Sequence, residues 1–259
     1  IGLKDWKPEN YGKKFYGPST LRKGVEYSRN LMTVRVAQKI GLKQIIKLSK
    51  DLNIYQDLPK LLSISLGSAE TTLLNLTSAY STFVNGGLKV NPTLISRIQD
   101  RRGKTIYVPA LSGKCVGCDK FIIAGEMPSI KKNNSKIFSE QTAYQITSIL
   151  EGVVKRGTGK KLRDLNVPLA GKTGTTNNNF DAWFIGFTSN LVIGVYVGYD
   201  SPKTLGKYET GSKAALPIFK DFVKRSIYKD EFKNFPIPEG IYFAPVDYDS
   251  GNKSNFDQK

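Results

Sequence analysis

Three apolar runs that lie close together constrain the fold of this chain more than any other feature. Leu169–Thr176, Ala182–Phe187 and Leu191–Tyr199 are rich in β-branched and aromatic side chains, as β-strands are. Only Thr188-Ser189-Asn190 separates the last two runs, which is too short for any connection but a hairpin. Neighbouring strands of the sheet should therefore run antiparallel. Pro217–Lys229, with apolar positions at helical spacing, is predicted to form a helix that covers this sheet.

Helical patterns dominate the part of the chain that precedes the sheet. Helices followed by an antiparallel sheet with a covering helix describe an α+β fold. We predict one domain over residues 1–233 and a tail over residues 234–259 that is rich in Pro, Asp and Asn and ordered only in part. The other predicted elements are a helix with Leu21 and Val25 capped by Ser19 or Thr20, a helix over Leu31–Ile40 ended by Gly41, a helix opened by Thr71 or Thr72, a hairpin of Leu94–Gln99 with Thr105–Val108, and a helix capped by Ser139.

The chain contains no histidine. A Ser-His-Asp triad, a Cys-His pair and a His-ligated metal site are therefore excluded within it, and proton transfer must fall to Asp, Glu, Lys or Tyr. The two cysteines, Cys115 and Cys118, form a CxxC in a loop rich in Gly and Lys. A structural zinc site needs a second pair of ligands, so we predict neither a metal nor a cofactor. We interpret the cysteines as loop residues that an oxidising compartment could link by a disulfide.

The formal net charge is +17, from 39 Lys and Arg against 22 Asp and Glu. Such a charge attracts phosphates and anionic lipid surfaces. The excess is mostly Lys and is spread along the whole chain, whereas nucleic-acid-binding proteins usually gather basic and aromatic residues on one segment. We therefore expect no nucleic-acid partner, and interpret the dispersed Lys as favouring solubility or a weak preference for an anionic surface.

Two short motifs carry the chemistry that the sequence offers. Ser28-Arg29-Asn30 lies between the first two predicted helices, and Ala170-Gly-Lys172-Thr173-Gly174-Thr175-Thr176 lies on the first strand of the sheet. The second motif is not a phosphate-binding P-loop, because Asn166 stands where the first glycine should be and no helix pattern follows. On a strand edge, Gly lets a ligand approach, Thr hydroxyls can bind a carboxylate, and the Lys ammonium can polarise a neighbouring hydroxyl. Taken alone, Lys-Thr-Gly is also compatible with a solvated strand end.

Ser-x-Asn followed by Lys-Thr-Gly-Thr makes the chain resemble the penicillin-interacting serine acyltransferases, whose remaining signature element is Ser-x-x-Lys. Further collinear segments are similar to class A penicillin-binding proteins, from about Asp5 to Asp247. The resemblance implies the fold of serine β-lactamases and penicillin-binding transpeptidases, an antiparallel sheet packed against helices. The segments are Trp6-Lys-Pro-Glu-Asn-Tyr11, Thr20-Leu-Arg22, Ser65-Leu-Gly-Ser-Ala-Glu70, Ala79-Tyr80, Phe83-Val-Asn-Gly-Gly87, Val153-Val154, Gly157-Thr-Gly159, Asp181-Ala-Trp-Phe-Ile-Gly-Phe187, Val197-Gly-Tyr-Asp200 and Gly211-Ser-Lys-Ala-Ala-Leu-Pro-Ile-Phe219.

The resemblance implies a D,D-transpeptidase that crosslinks peptidoglycan stem peptides through a serine acyl-enzyme and is a target of β-lactams. By position, Ser28 would relay a proton towards the leaving amine, Asn30 would orient the peptide amide, and Lys172 would hold Ser28 and supply positive potential. We predict that Leu169–Thr176 is an inner-lying strand beside the cleft, antiparallel to Ala182–Phe187. Lys172 should then lie within about 6 Å of Ser28, because the two groups must communicate through hydrogen bonds.

The resemblance also implies a binding site for the substrate carboxylate. Thr173 and Thr175 would hold the terminal carboxylate of the stem peptide, with Thr173 and Lys172 at the rim of the cleft. Gly174 between them would admit the backbone of the ligand. The backbone N–H of Thr175 would be one oxyanion donor, and the nucleophile's own N–H would be the other.

The Ser-x-x-Lys element of the family is absent from its expected place ahead of Ser28. We expect the nucleophilic Ser and its Lys to precede Ile1, in a longer protein that also has a glycosyltransferase domain and a membrane anchor. The isolated chain is then expected to be inactive. The later matches do not begin a long apolar helix and are rejected; they are Ser129…Lys132, Ser226…Lys229 and Ser250…Lys253.

The expected partners follow from the same resemblance. They are peptidoglycan stem peptides, the lipid-linked precursor, β-lactam antibiotics and the missing N-terminal part of the same protein. The expected location is the cell inner membrane, with the catalytic domain on the periplasmic face. Two other function classes stay open. A β-lactamase or D,D-carboxypeptidase would need a base for deacylation, and no Glu lies in a clear Ω-loop context. A non-catalytic β-lactam-binding or scaffold relative is supported only by the missing nucleophile.

Overall fold

The computed structural model describes residues 6–109, 135–226 and 232–254, together with the backbone of 115–116 and 129–130. The helices are α1 (Leu21–Glu26), α2 (Asn30–Ile40), α3 (Leu42–Asp51), α4 (Leu73–Val84), α5 (Glu140–Lys155) and α6 (Ala215–Ser226). The strands are β1 (Ile98–Gln99), β2 (Thr105–Tyr107), β3 (Cys115–Val116), β4 (Ser129–Ile130), β5 (Ala170–Thr175), β6 (Asp181–Phe187) and β7 (Val192–Gly198). Short 3-10 turns cover Leu62–Leu66, Lys160–Leu165 and Asn177–Asn179.

Side-chain caps begin three of these helices, as the sequence predicts. Each capping hydroxyl accepts a hydrogen bond from the backbone N–H three residues later, which satisfies one of the free donors at a helix start. Helix α3 was not predicted, because Gly41 was interpreted only as the end of α2; it ends α2 and also precedes the first residue of α3. The capping pairs are Thr20 with Lys23, Thr72 with Asn75 and Ser139 with Thr142.

The central sheet has the order β5-β6-β7, with both pairs antiparallel, as predicted. The predicted hairpin between β6 and β7 is present, and the Thr188 N–H donates to the Leu191 carbonyl over 2.9 Å. The prediction of an inner-lying Leu169–Thr176 is wrong, because β6 is the central strand and β5 forms one edge of the sheet as far as the structure describes it. The sequence does not indicate an edge position for β5. In the structure its first two residues are buried, as the residues of a central strand are.

Helices cover both faces of this sheet, which explains why β6 is apolar from Ala182 to Phe187. Side chains alternate between the faces of a strand. Phe184 packs against Phe219 of α6, with ring centroids 4.8 Å apart. Phe187 lies on the other face, in a cluster with Leu150 and Val153 of α5. The result is the predicted α+β arrangement of an antiparallel sheet between helices.

The C-terminal segment 232–254 packs back onto the domain. Phe235 lies against Phe187, with ring centroids 5.7 Å apart, and belongs to the same core cluster. Further along, Val246 and Lys253 form an antiparallel bridge that closes a small hairpin. Tyr248 at its tip reaches a carboxylate at the end of α1. This contact brings the end of the chain next to the break between α1 and α2.

The predicted hairpin before the sheet is present but shorter, with β1 pairing antiparallel to β2. Asp100 shapes its turn by accepting from the N–H groups of Arg102 and Lys104. The possible disulfide of Cys115 with Cys118 lies outside the described residues, although the backbones of β3 and β4 pair antiparallel. No helix within the described ranges is long and apolar enough to cross a membrane.

Candidate active site

Ser28 occupies the break between α1 and α2 in a left-handed conformation, with φ at 50°. The Ser28 N–H donates to the Val25 carbonyl over 3.1 Å, and the Arg29 N–H donates to the Gly24 carbonyl over 2.9 Å. These two bonds are the Schellman pattern of a helix C-terminus, in which the residue with positive φ is usually glycine. A serine there costs about 1 kcal/mol, and such strain is typical of functional positions.

Lys172 on β5 lies directly beside Ser28. Its Nζ donates to Ser28 Oγ and, over 2.9 Å, to the Thr173 carbonyl. The predicted proximity of the two residues is therefore confirmed. Among the described residues, no carboxylate forms an ion pair with Lys172, and burial lowers the pKa of its ammonium from 10.5 to about 8. Proton exchange with a neighbouring hydroxyl is easier for a lysine of this kind than for one at the surface.

The open edge of β5 faces this pair. The Thr176 N–H donates to the Asp181 carbonyl of β6 over 3.2 Å. In an antiparallel ladder, alternate residues point their N–H and C=O groups to opposite sides of the strand. The backbone groups of Thr173 and Thr175 therefore point away from β6, towards the open edge. The contact of Lys172 with the Thr173 carbonyl agrees with this orientation.

Thr173 is half-buried, and its hydroxyl lies 2.8 Å from that of Thr158. Thr158 follows α5, and its N–H donates to the Glu26 carbonyl at the end of α1 over 3.1 Å. The hydroxyl predicted to bind a carboxylate is therefore part of a link between β5, α5 and α1. No role was predicted for Thr158, although the segment Gly157-Thr-Gly159 contributed to the resemblance.

Thr175 lies exposed at the end of β5, where its hydroxyl accepts a hydrogen bond from the Gly211 N–H over 3.0 Å. The O–H of Thr175 is thereby left to donate elsewhere. Gly211 must be glycine here, because a Cβ would lie 2.4 Å from the carbonyl oxygens of Gly174 and Trp183. The backbone at Gly211 therefore lies directly against Gly174 of β5 and Trp183 of β6.

Asn30 begins α2 and is oriented by the segment before α1. Its Nδ2 donates to the Glu9 carbonyl over 2.8 Å. The buried side chain of Asn10 accepts from the Leu31 N–H over 3.2 Å, which caps α2 in place of Arg29. Within the described residues, the hydrogen bonds of Asn30 include neither Ser28 nor Lys172. The structure therefore places Asn30 beside the pair without joining it to them.

The segment after Lys172 does not have the structure of a phosphate-binding loop. The residues after Lys172 continue as a strand and then a 3-10 turn, so the helix that a P-loop needs is not formed there. Across the described ranges, no group of three or more Cys, Asp and Glu side chains could hold a metal ion. What the site offers is an ammonium, several hydroxyls and an open strand edge.

Comparisons with known proteins agree with these features. Residues 2–224 match the family described as penicillin binding protein transpeptidase domain. Penicillin-binding protein 1A of Rickettsia typhi is 44% identical over 254 residues, which cover 96% of this chain and 32% of that protein. Penicillin-binding protein 1A of Pseudomonas aeruginosa is 34% identical over 282 residues, which cover 97% of this chain and 34% of that protein. The chain thus spans about a third of the length of the relatives it matches.

A solved structure matches the whole fold. The crystal structure of penicillin-binding protein 1A from Haemophilus influenzae superposes with a TM-score of 0.84 at 27% sequence identity. The match covers 100% of this chain and 42% of that one. The predicted fold is therefore confirmed, including the packing of helices on an antiparallel sheet.

Proposed function

Because this chain belongs to the penicillin-binding protein transpeptidase family, we propose that it supplies part of a D,D-transpeptidase site that crosslinks peptidoglycan stem peptides. The observation that carries this proposal is the contact of Lys172 with Ser28 at the open edge of β5. The chain has no histidine, and a buried lysine in contact with a serine is a pair that can move a proton in its place. The relatives' shared name, penicillin-binding protein 1A, supports β-lactams as a second class of ligand.

The proposed reaction has two steps. A nucleophilic serine attacks the penultimate D-Ala carbonyl of a stem peptide and loses its proton to an adjacent lysine, and the bond to the terminal D-Ala breaks. Ser28 passes a proton to the leaving amine and regains one from that lysine. An amine on a second stem peptide then attacks the acyl-enzyme, and its proton passes through the same groups to the departing serine oxygen. The crosslink forms, and the serine, the lysine and Ser28 return to their starting protonation states. We propose that the nucleophile and its lysine belong to a segment outside these 259 residues.

Lys172 is proposed to hold Ser28 and to attract the substrate carboxylate. A pKa of about 8 keeps most of the Lys172 ammonium charged at neutral pH, while burial reduces the competition from water. In this state the ammonium donates to Ser28 Oγ, which leaves the serine O–H free to deliver its proton to the leaving group. A charged group held in this position stabilises negative charge that develops nearby.

The open edge of β5 is proposed to bind the peptide itself. An extended stem peptide could add to this edge as another strand, using the outward backbone groups of Thr173 and Thr175. The free O–H of Thr175 and the hydroxyl of Thr173 would bind the terminal carboxylate. The outward N–H of Thr175 would be one oxyanion donor. Gly174 between them has no side chain, and a Cβ there would lie 3.0 Å from the Cβ of Trp183.

The wider setting is also a proposal. We place the complete protein in the cell membrane, with this domain on its external face, where its stem-peptide substrates and the lipid-linked precursor would meet it. β-Lactams would acylate the same nucleophile that the stem peptide does. Asn30, held by the Glu9 carbonyl, would orient the amide of either ligand.

Replacement of Lys172 in the longer protein tests this function. Lys172→Met keeps much of the apolar stem and removes the ammonium. We expect acylation by a fluorescent penicillin to slow by about 10²–10⁴-fold, and crosslinked peptide dimers to disappear. Lys155→Met is the matched control, because Lys155 is exposed and forms a surface ion pair with Glu151. Unchanged acylation in Lys172→Met would overturn the proposal. If the unaltered protein is acylated and releases D-Ala but forms no crosslinked dimers, a carboxypeptidase is favoured. If the penicillin adduct is lost rapidly from the unaltered protein, a β-lactamase is favoured.

A further inference from the structure

A fully buried carboxylate lies two residues before Ser28. Glu26, at the end of α1, has no exposed surface. Arg156 donates to it twice, from Nη2 to Oε1 over 2.5 Å and from Nε to Oε2 over 3.1 Å. The hydroxyl of Tyr248 also donates to Oε2, over 2.5 Å, and Arg22 lies 3.9 Å from Oε1. Three segments that are distant in sequence therefore meet at one side chain.

Two glycines make room for Glu26. A Cβ on Gly152 would lie 1.8 Å from Oε1 of Glu26, and a Cβ on Gly157 would lie 2.1 Å from its backbone carbonyl oxygen. Glu26 is fully buried, whereas the Arg156 side chain is 41% exposed. A buried carboxylate is costly unless it is hydrogen-bonded, so the three donor groups hold the Glu26 side chain in one geometry.

A closed series of contacts joins Glu26 to the proposed site. Its carbonyl accepts the Thr158 N–H, and the Thr158 hydroxyl contacts that of Thr173. The Thr173 carbonyl accepts from Lys172, and Lys172 donates to Ser28. The chain from Ser28 back to Glu26 completes the ring. The ring runs through the Glu26 backbone, which the buried Glu26 side chain anchors. Loss of the side-chain contacts would therefore act on Ser28 and on β5 together.

We propose that Glu26, Arg156 and Tyr248 form a positioning cluster that holds Ser28 against Lys172. This inference rests on the proposed function and adds three positioning residues to it. The C-terminal hairpin supplies one of them, since Tyr248 lies at its tip and Asp249 forms an ion pair with Lys23 of α1. The site is then complete only when this hairpin is docked on α1.

The contacts of Tyr248 suit this role. Burial, together with its hydrogen bond to Glu26, raises the pKa of the Tyr248 hydroxyl to about 12, so the hydroxyl remains a donor at all physiological pH values. The Arg156 guanidinium lies 5.3 Å from the centre of the Tyr248 ring, within reach of a cation–π interaction. The ring and the hydroxyl of Tyr248 therefore contact both members of the ion pair.

The first test removes only the hydroxyl of Tyr248. Tyr248→Phe keeps the ring, and Tyr242→Phe is the matched control because Tyr242 is 92% exposed on the same segment. The readout is the titration of Lys172 in the chain labelled with ¹³C-lysine. If Ser28 moves away, water reaches the ammonium, and its pKa rises from about 8 towards 10.5. We expect this rise in Tyr248→Phe and no change in Tyr242→Phe. A Tyr248→Phe chain that melts earlier but titrates like the unaltered chain would overturn the inference.

The second test measures acylation in the longer protein. Glu26→Gln should slow penicillin acylation by about 10–100-fold, since a hydrogen bond to a charged group is removed, while reversible affinity changes less than about twofold. Glu26→Asp should restore part of the rate. Asp164→Asn, which breaks a surface ion pair with Lys220, should leave the rate unchanged. Equal rates in Glu26→Gln and Asp164→Asn would contradict positioning by Glu26. If the unaltered longer protein does not react with penicillin, the proposed function is wrong. The titration of Lys172 in Tyr248→Phe then still tests the positioning cluster, because it does not depend on acylation.

Discussion

At the scale of single residues, the most informative position is Ser28. Its backbone is strained, and the strained conformation places its side chain in the site. Its φ of 50° would suit glycine. The serine hydroxyl meets Lys172 only because the chain turns out of α1 in this conformation. The local conformation and the chemistry thus depend on each other at one residue.

Two substitutions of Ser28 separate these effects. Ser28→Ala and Ser28→Gly both remove the proton relay, so each should slow β-lactam acylation of the longer protein by about 10²–10⁴-fold and leave initial binding nearly unchanged. Thermal unfolding should place Ser28→Gly about 1 kcal/mol above Ser28→Ala in stability, because glycine adopts positive φ without strain. If acylation is unaffected in both variants, Ser28 is only a helix-break residue.

Lys172 makes a second residue-scale prediction, concerning pH. Its pKa is 10.5 when unfolded and about 8 when folded, so protonation favours the unfolded state by about 3 kcal/mol at neutral pH. Between pH 8 and 10.5 the unfolded chain binds more protons at this site, and stability gains with rising pH. Denaturant unfolding should show Lys172→Met to be more stable than the unaltered chain at pH 7, with the gap closing above pH 8. A constant gap from pH 7 to 10 would mean that the ammonium is not destabilised by burial.

At the scale of elements, the open edge of β5 organises the site. Its backbone alternates between groups that bond to β6 and groups that face the groove. Amide hydrogen exchange measured by NMR should therefore find Lys172 and Gly174 protected in the free chain, and Thr173 and Thr175 exchanging rapidly. Protection of Thr173 and Thr175 as strong as that of their neighbours would show that another strand covers this edge.

Local patterns explain which elements could be predicted from the sequence. Helix caps such as Thr72, the hairpin at Thr188, and the apolar β6 depend on residues within a few positions of one another. The position of β5 at the edge could not be predicted, because it depends on which strands pair across the sheet and not on residues within β5. Helix α3 was missed because one glycine serves two helices.

The candidate site also has one part that could be predicted from the sequence and one part that could not. Ser28 and Lys172 were predicted together because motif resemblance carries long-range information that periodicity does not. The contacts of Glu26 with Arg156 and Tyr248 span 130 and 222 residues, and nothing local indicates them. A carboxylate at the end of a short helix looks solvent-exposed in sequence, and only the fold reveals that it is buried.

At the scale of the whole molecule, the net charge contributes little to the stability of the fold. The net charge of +17 is spread along the sequence. The ion pairs described are mostly exposed, so they contribute little to stability. The fold depends instead on two apolar clusters, one on each face of the sheet. The site lies where the edge of that sheet meets the break between α1 and α2.

Intact-mass measurement after prolonged incubation with a fluorescent penicillin tests most directly whether this chain holds the binding half of the site without the nucleophile. The isolated 259-residue chain should show no covalent adduct, since charge-assisted contacts with Lys172, Thr173 and Thr175 in an open groove give only weak reversible binding. The longer protein, or the chain coexpressed with the segment that carries Ser-x-x-Lys, should show one adduct per molecule on that added serine. A stoichiometric adduct on the isolated chain, mapped to Ser28, Ser250 or any other of its serines, would contradict this division of the site.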